Sequence, residues 1–320
     1  MRKNRVSIVI PNYNGIQFLT NCLQSLQKQS FESHEIIVVD NASTDGSMLY
    51  IKENFPEVKQ IKLDKNYGFS KAVNEGIKQS TSQYVILLNN DTTVDKKFVE
   101  ELVHVMEESK RIFSCQAKML QMYDTNRIDD AGDYYCSLGW AFARGKDKSA
   151  LLYQENSKIF AACAGAAIYR REVFEQIGYF DEAHFAYLED IDIGYRARIN
   201  GFKNRYAAKS IVYHAGSASS GSRYNKFKVE LASRNSIFLI YKNMPFLQIL
   251  LNLPLLLIGF FLKIVFFSKK GYGKTYLIGL KKGFQMAKEL KKVKFNLVNI
   301  VNYASIQLDL WINTIRRFLY

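Results

Sequence analysis

Cysteine is scarce and unpaired in this chain. Cys22, Cys115, Cys136 and Cys163 stand far apart, with no C-x-x-C pair among 320 residues. That spacing excludes a zinc ribbon and offers no disulfide framework, so the sequence points to a reducing compartment. Glycine-rich phosphate loops are missing too. A dinucleotide-binding dehydrogenase carries G-x-G-x-x-G after its first strand, where this chain has Pro11-Asn-Tyr-Asn-Gly-Ile16. The Gly-rich, Lys-bearing loop of a nucleotidyltransferase is absent from the same place. Gly273-Lys-Thr275 has the end of a P-loop, but the glycine required five residues earlier is Ser268 and no strand precedes it. The apolar run after the basic residues 1–5 stops at Pro11, too short for a secretory signal. No internal repeat, low-complexity segment or nucleic-acid-binding motif is found. Acids are scarce at one end: residues 241–320 hold eleven Lys and two Arg against Glu289 and Asp309. Most of the net charge of +14 therefore lies in the tail.

What is present centres on Tyr84-Val85-Ile86-Leu87-Leu88, which ends abruptly in Asn89-Asn90-Asp91. A run this short predicts a strand buried on both faces. In an open α/β sheet, ligands gather beyond the carboxyl ends of the strands. One carboxylate beside two amides suits a hard divalent cation shared with phosphate oxygens, and the same composition also makes an ordinary Asn/Asp turn. Further strands are predicted at residues 6–10, 35–39 and 58–63. Helices follow at about 16–29, up to 55, up to 79 and 95–108, with Ser43 or Thr44 as the cap of the second. This alternation predicts a parallel, doubly wound α/β core. Asp40 and Asp91, at the tips of neighbouring strands, would then face a polar crevice able to hold a nucleotide.

Residues 113–147 read as less regular. Their Tyr134, Tyr135, Trp140, Phe142 and Arg144 suit either core packing or stacking on a sugar ring. Small residues surround Gly165 in residues 160–169, which allows close approach of backbone to a ligand or another strand. A short helix starts at Arg171. Ile191, Tyr195 and Arg198 recur at helical spacing, placing Glu189 and Asp190 in a first helical turn where the dipole favours carboxylates. Residues 211–213 read as a strand ending in His214 and a Gly/Ser/Ala stretch to Gly221; His214 is open to a structural or a ligand role.

Taken in order, these pieces resemble the family 2 glycosyltransferases of GT-A fold, in particular the rhamnosyltransferase-like branch. The matching stretches are Val6-Ser-Ile-Val-Ile-Pro-Asn-Tyr-Asn14, Val39-Asp-Asn-Ala-Ser-Thr-Asp45 and Asn66-Tyr-Gly-Phe-Ser-Lys-Ala-Val-Asn-Glu-Gly76. Leu88-Asn-Asn-Asp91, Ala164-Gly-Ala166, residues 178–182, Glu189-Asp-Ile-Asp192 and His214 continue them, over about residues 5–240. The resemblance implies a sheet with helices on both faces and a nucleoside diphosphate sugar donor, dTDP-rhamnose or a UDP-hexose. By it, Asp40 would read the base, with Pro11 and Asn12 in the same pocket and Asn66 and Gly68 on the nucleoside. Asn89, Asn90 and Asp91 occupy the place of the D-x-D motif, with Asn89 where the family pattern has Asp. Asp91 and His214 would hold Mg²⁺ or Mn²⁺, Gly165 and Glu189 would line the donor site, and Asp190 matches the general base. Inverting transfer needs such a base on the acceptor side and an electrophile on the leaving diphosphate.

After a helix at about 226–241 comes a stretch at 246–262 with no charge, interrupted by Asn252, Pro254 and Gly259. At seventeen residues it is borderline for crossing a bilayer. Lys263, Lys269, Lys270, Lys274, Lys281 and Lys282 follow among apolar residues, the mixture of a helix lying on an anionic leaflet. Leu297, Val301, Ala304, Leu308, Trp311, Ile315 and Phe318 form a seam for membrane or for a second copy. The expectation is a catalytic domain at 1–240 and a helical, membrane-associated tail at 241–320 on the cytoplasmic face of the cell membrane. It would act on a lipid-linked or polysaccharide acceptor, without nucleic acid as a partner. The alternatives are a nucleotidyltransferase acting on sugar phosphates and a basic nucleic-acid-binding protein.

Overall fold

The computed structural model describes residues 4–216 and 224–319, so part of the stretch after His214 lies outside the described residues. Its first half runs β1 (Val6–Asn12), α1 (Ile16–Gln27), β2 (His34–Asp40), α2 (Ser47–Asn54), β3 (Lys59–Lys62), α3 (Phe69–Gln79), β4 (Tyr84–Leu88), β5 (Thr92–Val94) and α4 (Phe98–Glu107). Strands β3, β2, β1 and β4 are neighbours in parallel. Alternate residues leave for opposite layers: Ile8, Ile36 and Ile86 join one apolar core, and Val9, Ile37, Val85 and Leu87 join the other. Burial on both faces is why these strands read as continuous apolar runs. The start of α2 departs from expectation. Gly46, at φ 80°, is its N-cap, while Ser43 Oγ accepts the Asn14 N–H at 2.9 Å instead. Glycine takes that left-handed conformation without steric cost.

Beyond β4 the sheet becomes mixed. The elements are β6 (Ile112–Gln121), β7 (Asp124–Asp130), a hairpin of β8 (Asp133–Tyr135) and β9 (Ala141–Ala143), β10 (Ser157–Ile159), β11 (Ala166–Arg170), α5 (Arg171–Ile177), α6 (Glu189–Ile199) and β12 (Lys203–His214). β11 lies antiparallel between β4 and β6, and β12 runs parallel to β6. The expected parallel core thus fills one half of the sheet. The irregular reading of 113–147 is corrected: β6 is a buried ten-residue strand. Its polar residues hide the pattern because their partners are distant in sequence. Ser114 donates to Asn204 Oδ1 at 2.8 Å, Gln116 Oε1 accepts the Cys163 N–H at 2.7 Å, and Lys118 Nζ donates to the Leu152 carbonyl at 3.0 Å.

Four helices end the chain: α7 (Lys226–Asn243), α8 (Phe246–Lys269), α9 (Gly273–Met286) and α10 (Ile300–Leu319). α9 lies against α7 through Gly279, where a Cβ would stand 1.9 Å from Ser233 Oγ. α8 is one continuous helix of 24 residues, not the broken segment expected. Its polar residues face inward. Gln248 Nε2 and Asn252 Nδ2 both donate to Gln307 Oε1 of α10, at 3.1 and 2.8 Å, and Tyr195 of α6 donates to Gln248 Oε1 at 2.9 Å. The tail is therefore folded onto the sheet half. Residue 240, the expected end of the catalytic domain, lies inside α7.

Candidate active site

A cavity of about 670 Å³ opens over the carboxyl ends of β1 and β4. Its walls include Pro11, Asn12, Asn66, Gly68, Asn89, Asn90, Asp91, Gly165, Glu189, Asp190 and His214, so every expected site residue except Asp40 is on the surface of one crevice. Asp40 sits beneath it, fully buried. Its carboxylate accepts the Asn12 amide at 3.2 Å and the Ser43 N–H at 3.0 Å. Asn12 Oδ1 in turn accepts from Asn90 Nδ2 at 2.8 Å. Asp40 thus orients Asn12, and its neighbour Asn41 reaches the wall in its place. Asn41 Nδ2 donates to the Gly68 carbonyl at 3.2 Å. Gly68, at φ 85°, has no room for a side chain: a Cβ there would lie 2.5 Å from the Phe185 carbonyl.

At the end of β4, Asp91 meets His214 from the end of β12. The imidazole Nε2 is 3.4 Å from Asp91 Oδ1, and Nδ1 is 2.8 Å from Asp129 Oδ2. Burial disfavours charge on this ring, but the hydrogen bond to Asp129 and the carboxylate of Asp91 outweigh it, so the imidazolium is held up to about 9 until a cation takes the place of its Nε2 proton. A carboxylate and an imidazole aimed at one point, with a second carboxylate orienting the ring from behind, form a donor set that fits a divalent cation. Asp129 was not anticipated from sequence. Neither were Asp130 and Asp133, which lie on the cavity wall with their ligand atoms and Cys163 Sγ within 4.8 Å of one another. Burial pushes the Asp130 carboxyl up to about 6 and Asp133 well above its usual range. The signal that could have found them was three acids in five residues after an apolar-poor stretch.

Across the cavity, Glu189 and Asp190 occupy the first turn of α6, as the helical spacing predicted. Burial raises the Asp190 carboxyl to about 6, against backbone N–H bonds that lower it, including one from Ile191 at 2.7 Å. Glu189 is buried and its Oε2 has no hydrogen-bond partner. The approach to α6 is strained: Phe185, Tyr187 and Leu188 all have positive φ. Side chains of α7 hold this segment. Asn235 Nδ2 donates to the carbonyls of Ala186 and Tyr187 at 2.9 and 2.7 Å, and Arg234 Nη2 to those of Ala183 and His184, each at 2.8 Å. Asp192, one turn inside α6, is bound by Arg196 at 2.7 Å, Lys242 at 3.0 Å and Asn243 at 2.8 Å. Burial opposes its charge, yet Arg196 and Lys242 keep its carboxyl far below the ordinary carboxylate range.

A mixed sheet with a polar crevice at its strand ends, an Asn-Asn-Asp tip and a facing helix-start carboxylate define a GT-A glycosyltransferase. The model of glycosyl transferase family 2 matches residues 7–178, and the chain belongs to this family. The uncharacterized glycosyltransferase YwdF of Bacillus subtilis is 28% identical over 212 residues, 65% of this chain and 74% of that protein. Among solved structures, residues 1–349 of Staphylococcus aureus TarS in complex with UDP-GlcNAc superpose with a TM-score of 0.61 at 18% identity, covering 96% of this chain and 89% of that one. GalNAc-T7 with UDP, GalNAc and Mn²⁺ gives a TM-score of 0.61 at 18% identity, over 75% of this chain and 48% of that one. The nucleotidyltransferase and nucleic-acid-binding alternatives give way to this assignment.

Proposed function

We propose that the protein transfers a sugar, with inversion, from a nucleoside diphosphate sugar to a hydroxyl of a lipid-linked or growing cell-surface glycan. The observation that carries this reading is a single cavity walled by Asp91 and His214 on one side and Asp190 on the other. Asn12, Asn41, Asn66 and Gly68 would hold the nucleoside, with Asp40 fixing Asn12 from below. Asp91 and His214 would hold Mg²⁺ or Mn²⁺, which when bound neutralises charge developing on the diphosphate. Asp190, ionised at neutral pH, takes the proton from the acceptor hydroxyl as the oxygen attacks the anomeric carbon and the diphosphate leaves. A base so placed is worth on the order of 10²–10⁴-fold in rate. The UDP-GlcNAc in the TarS complex, and the UDP and GalNAc in that of GalNAc-T7, make a UDP-hexose the first donor to test and dTDP-rhamnose the second.

The tail supports attachment to the cytoplasmic face of a membrane. The most apolar 18-residue stretch of α8 has a mean hydropathy of 2.4, yet only 17% of it is buried. Because its polar side is bonded to α6 and α10, the helix lies along the protein with its apolar side outward. That geometry suits a monotopic anchor better than a free span. A thermal-shift screen of nucleoside diphosphate sugars, with and without Mn²⁺, tests the central reading. Stabilisation by UDP- or dTDP-sugars that grows with Mn²⁺ is expected, and indifference to all of them would remove it.

A further inference from the structure

A second cavity, of about 680 Å³, adjoins the first. The two share Asp130, Ala141, Phe142 and Ala143, so the β8–β9 hairpin is their common wall. The new cavity is lined by Arg144, Lys146, Lys148, Arg316 and Arg317 against Asp129, Asp130 and Asp147. Its arginines are not neutralised: among the described residues, Lys146 pairs with Asp129, but no carboxylate pairs with Arg144, Arg316 or Arg317. They lie instead over aromatic rings. Arg316 is 5.1 Å from the Tyr134 ring centre, Arg317 is 5.5 Å from that of Phe142, and Arg144 is 4.7 Å from that of Tyr153. A guanidinium resting its face on a ring keeps its N–H edge for a planar or tetrahedral oxyanion. Arg144 gives Nε to the Ala131 carbonyl and Nη1 to Ser157 Oγ, each at 2.7 Å, and Arg316 gives Nη1 to Asn313 Oδ1 at 3.1 Å, which leaves Arg144 Nη2 without a hydrogen-bond partner.

We propose that this cavity is an acceptor subsite for a phosphate-bearing ligand, and that the acceptor passes from it over Phe142 toward Asp190. The inference rests on the glycosyl-transfer reading for the direction of the chain, but the anion site itself does not. Two sources share the chemistry: a diphosphate linking a glycan to a lipid, and phosphate repeated within a polymer. Trp140 at the turn of the same hairpin donates to the Gly259 carbonyl of α8 at 3.1 Å, which brings the cavity wall against the outward-apolar helix.

The test uses the full-length protein saturated with UDP and Mn²⁺, so that added anions cannot report the donor site. It is titrated with inorganic pyrophosphate, a polyprenyl diphosphate in neutral detergent, and a short glycerol phosphate oligomer, with tryptophan fluorescence as readout. At least one probe should bind, more weakly at high salt. The double variant R316Q/R317Q should weaken it by about tenfold or more, the scale of a lost charge-assisted contact, and R316K/R317K should restore part of the loss. A polyprenyl diphosphate that outbinds pyrophosphate assigns the lipid source, and a better oligomer assigns the polymer. Equal binding by R316Q/R317Q and the wild type, or no anion binding at all, overturns the proposal. Failure of UDP to bind would instead count against glycosyl transfer, and the same titration without UDP still decides the cavity.

Discussion

Asp190 is set apart from the other acids of α6 by what surrounds it. Asp192, two residues on, has Arg196 and Lys242 as partners and stays ionised; Asp190 has only backbone donors and is raised to about 6 by burial. A base with that value is deprotonated at pH 7 and protonated below pH 6. Turnover should therefore fall as pH drops through about 6, with D190N at least about 100-fold slower at pH 7 and above, where Asp190 is ionised, while UDP affinity is nearly kept. A D190N protein with near wild-type kcat would remove Asp190 from the role. Asn235 acts at one remove, through the carbonyls of the strained segment before α6. N235L removes the amide donor from those part-buried carbonyls, at up to about 1–3 kcal/mol in all. Urea unfolding should register that loss, and N235Q, which keeps the amide, should recover part of it.

The element scale explains what could and could not be read from the sequence. β1, β2 and β4 were legible because each is an apolar run buried on both faces, and α6 because Ile191 and Tyr195 keep helical spacing. β6 was not, since Ser114, Gln116 and Lys118 pair with residues far along the chain. The site divides the same way: Asn12, Asp91, Asp190 and His214 follow strand or helix ends, whereas Asp129, Asp130 and Asp133 belong to strands hidden by that polar pattern. Asp40 shows the limit at a residue that was legible, because sequence locates it at a strand tip but cannot tell a wall from a floor. The lock between α6 and α7 gives an element-level prediction. D192N leaves Lys242 and Arg196 without their shared carboxylate and should cost about 3–5 kcal/mol at pH 7. The native carboxyl is depressed, so its contribution is complete above the unfolded value near 3.9 and is lost as pH falls below that toward the native value. The gap between wild type and D192N should close over that acid window, in paired urea melts.

At the scale of the whole molecule, the tail is inside out. On α8 the buried residues are Gln248, Asn252, Leu256 and Gly259, while Phe246, Leu250, Leu257 and Phe261 are exposed. On α10 and the turn before it the seam at Leu297, Val301, Leu308, Trp311, Ile315 and Phe318 is exposed, and Tyr303, Ile306, Gln307 and Leu310 are buried instead. The amide contacts of Gln307 join the two helices where they meet, and each turns an apolar face outward, the kind that marks a membrane or protein contact. Lys269 ends α8, Lys270 follows it, and Lys274, Lys281 and Lys282 lie on α9; each near an anionic leaflet adds about 1 kcal/mol. Deleting the tail is a poor test, because Lys242, Asn243 and Gln248 bond α6. Polar substitution on the outward face is the sharper one: L250Q/L257Q/F261Q touches residues that the fold leaves exposed, so thermal stability should hardly change. Flotation with vesicles containing anionic lipid should fall steeply, and wild-type binding should weaken with salt. If the triple variant floats as well as the wild type, or if the wild type ignores vesicles and instead forms dimers that the triple variant loses, the surface serves a second copy or another contact and not a membrane.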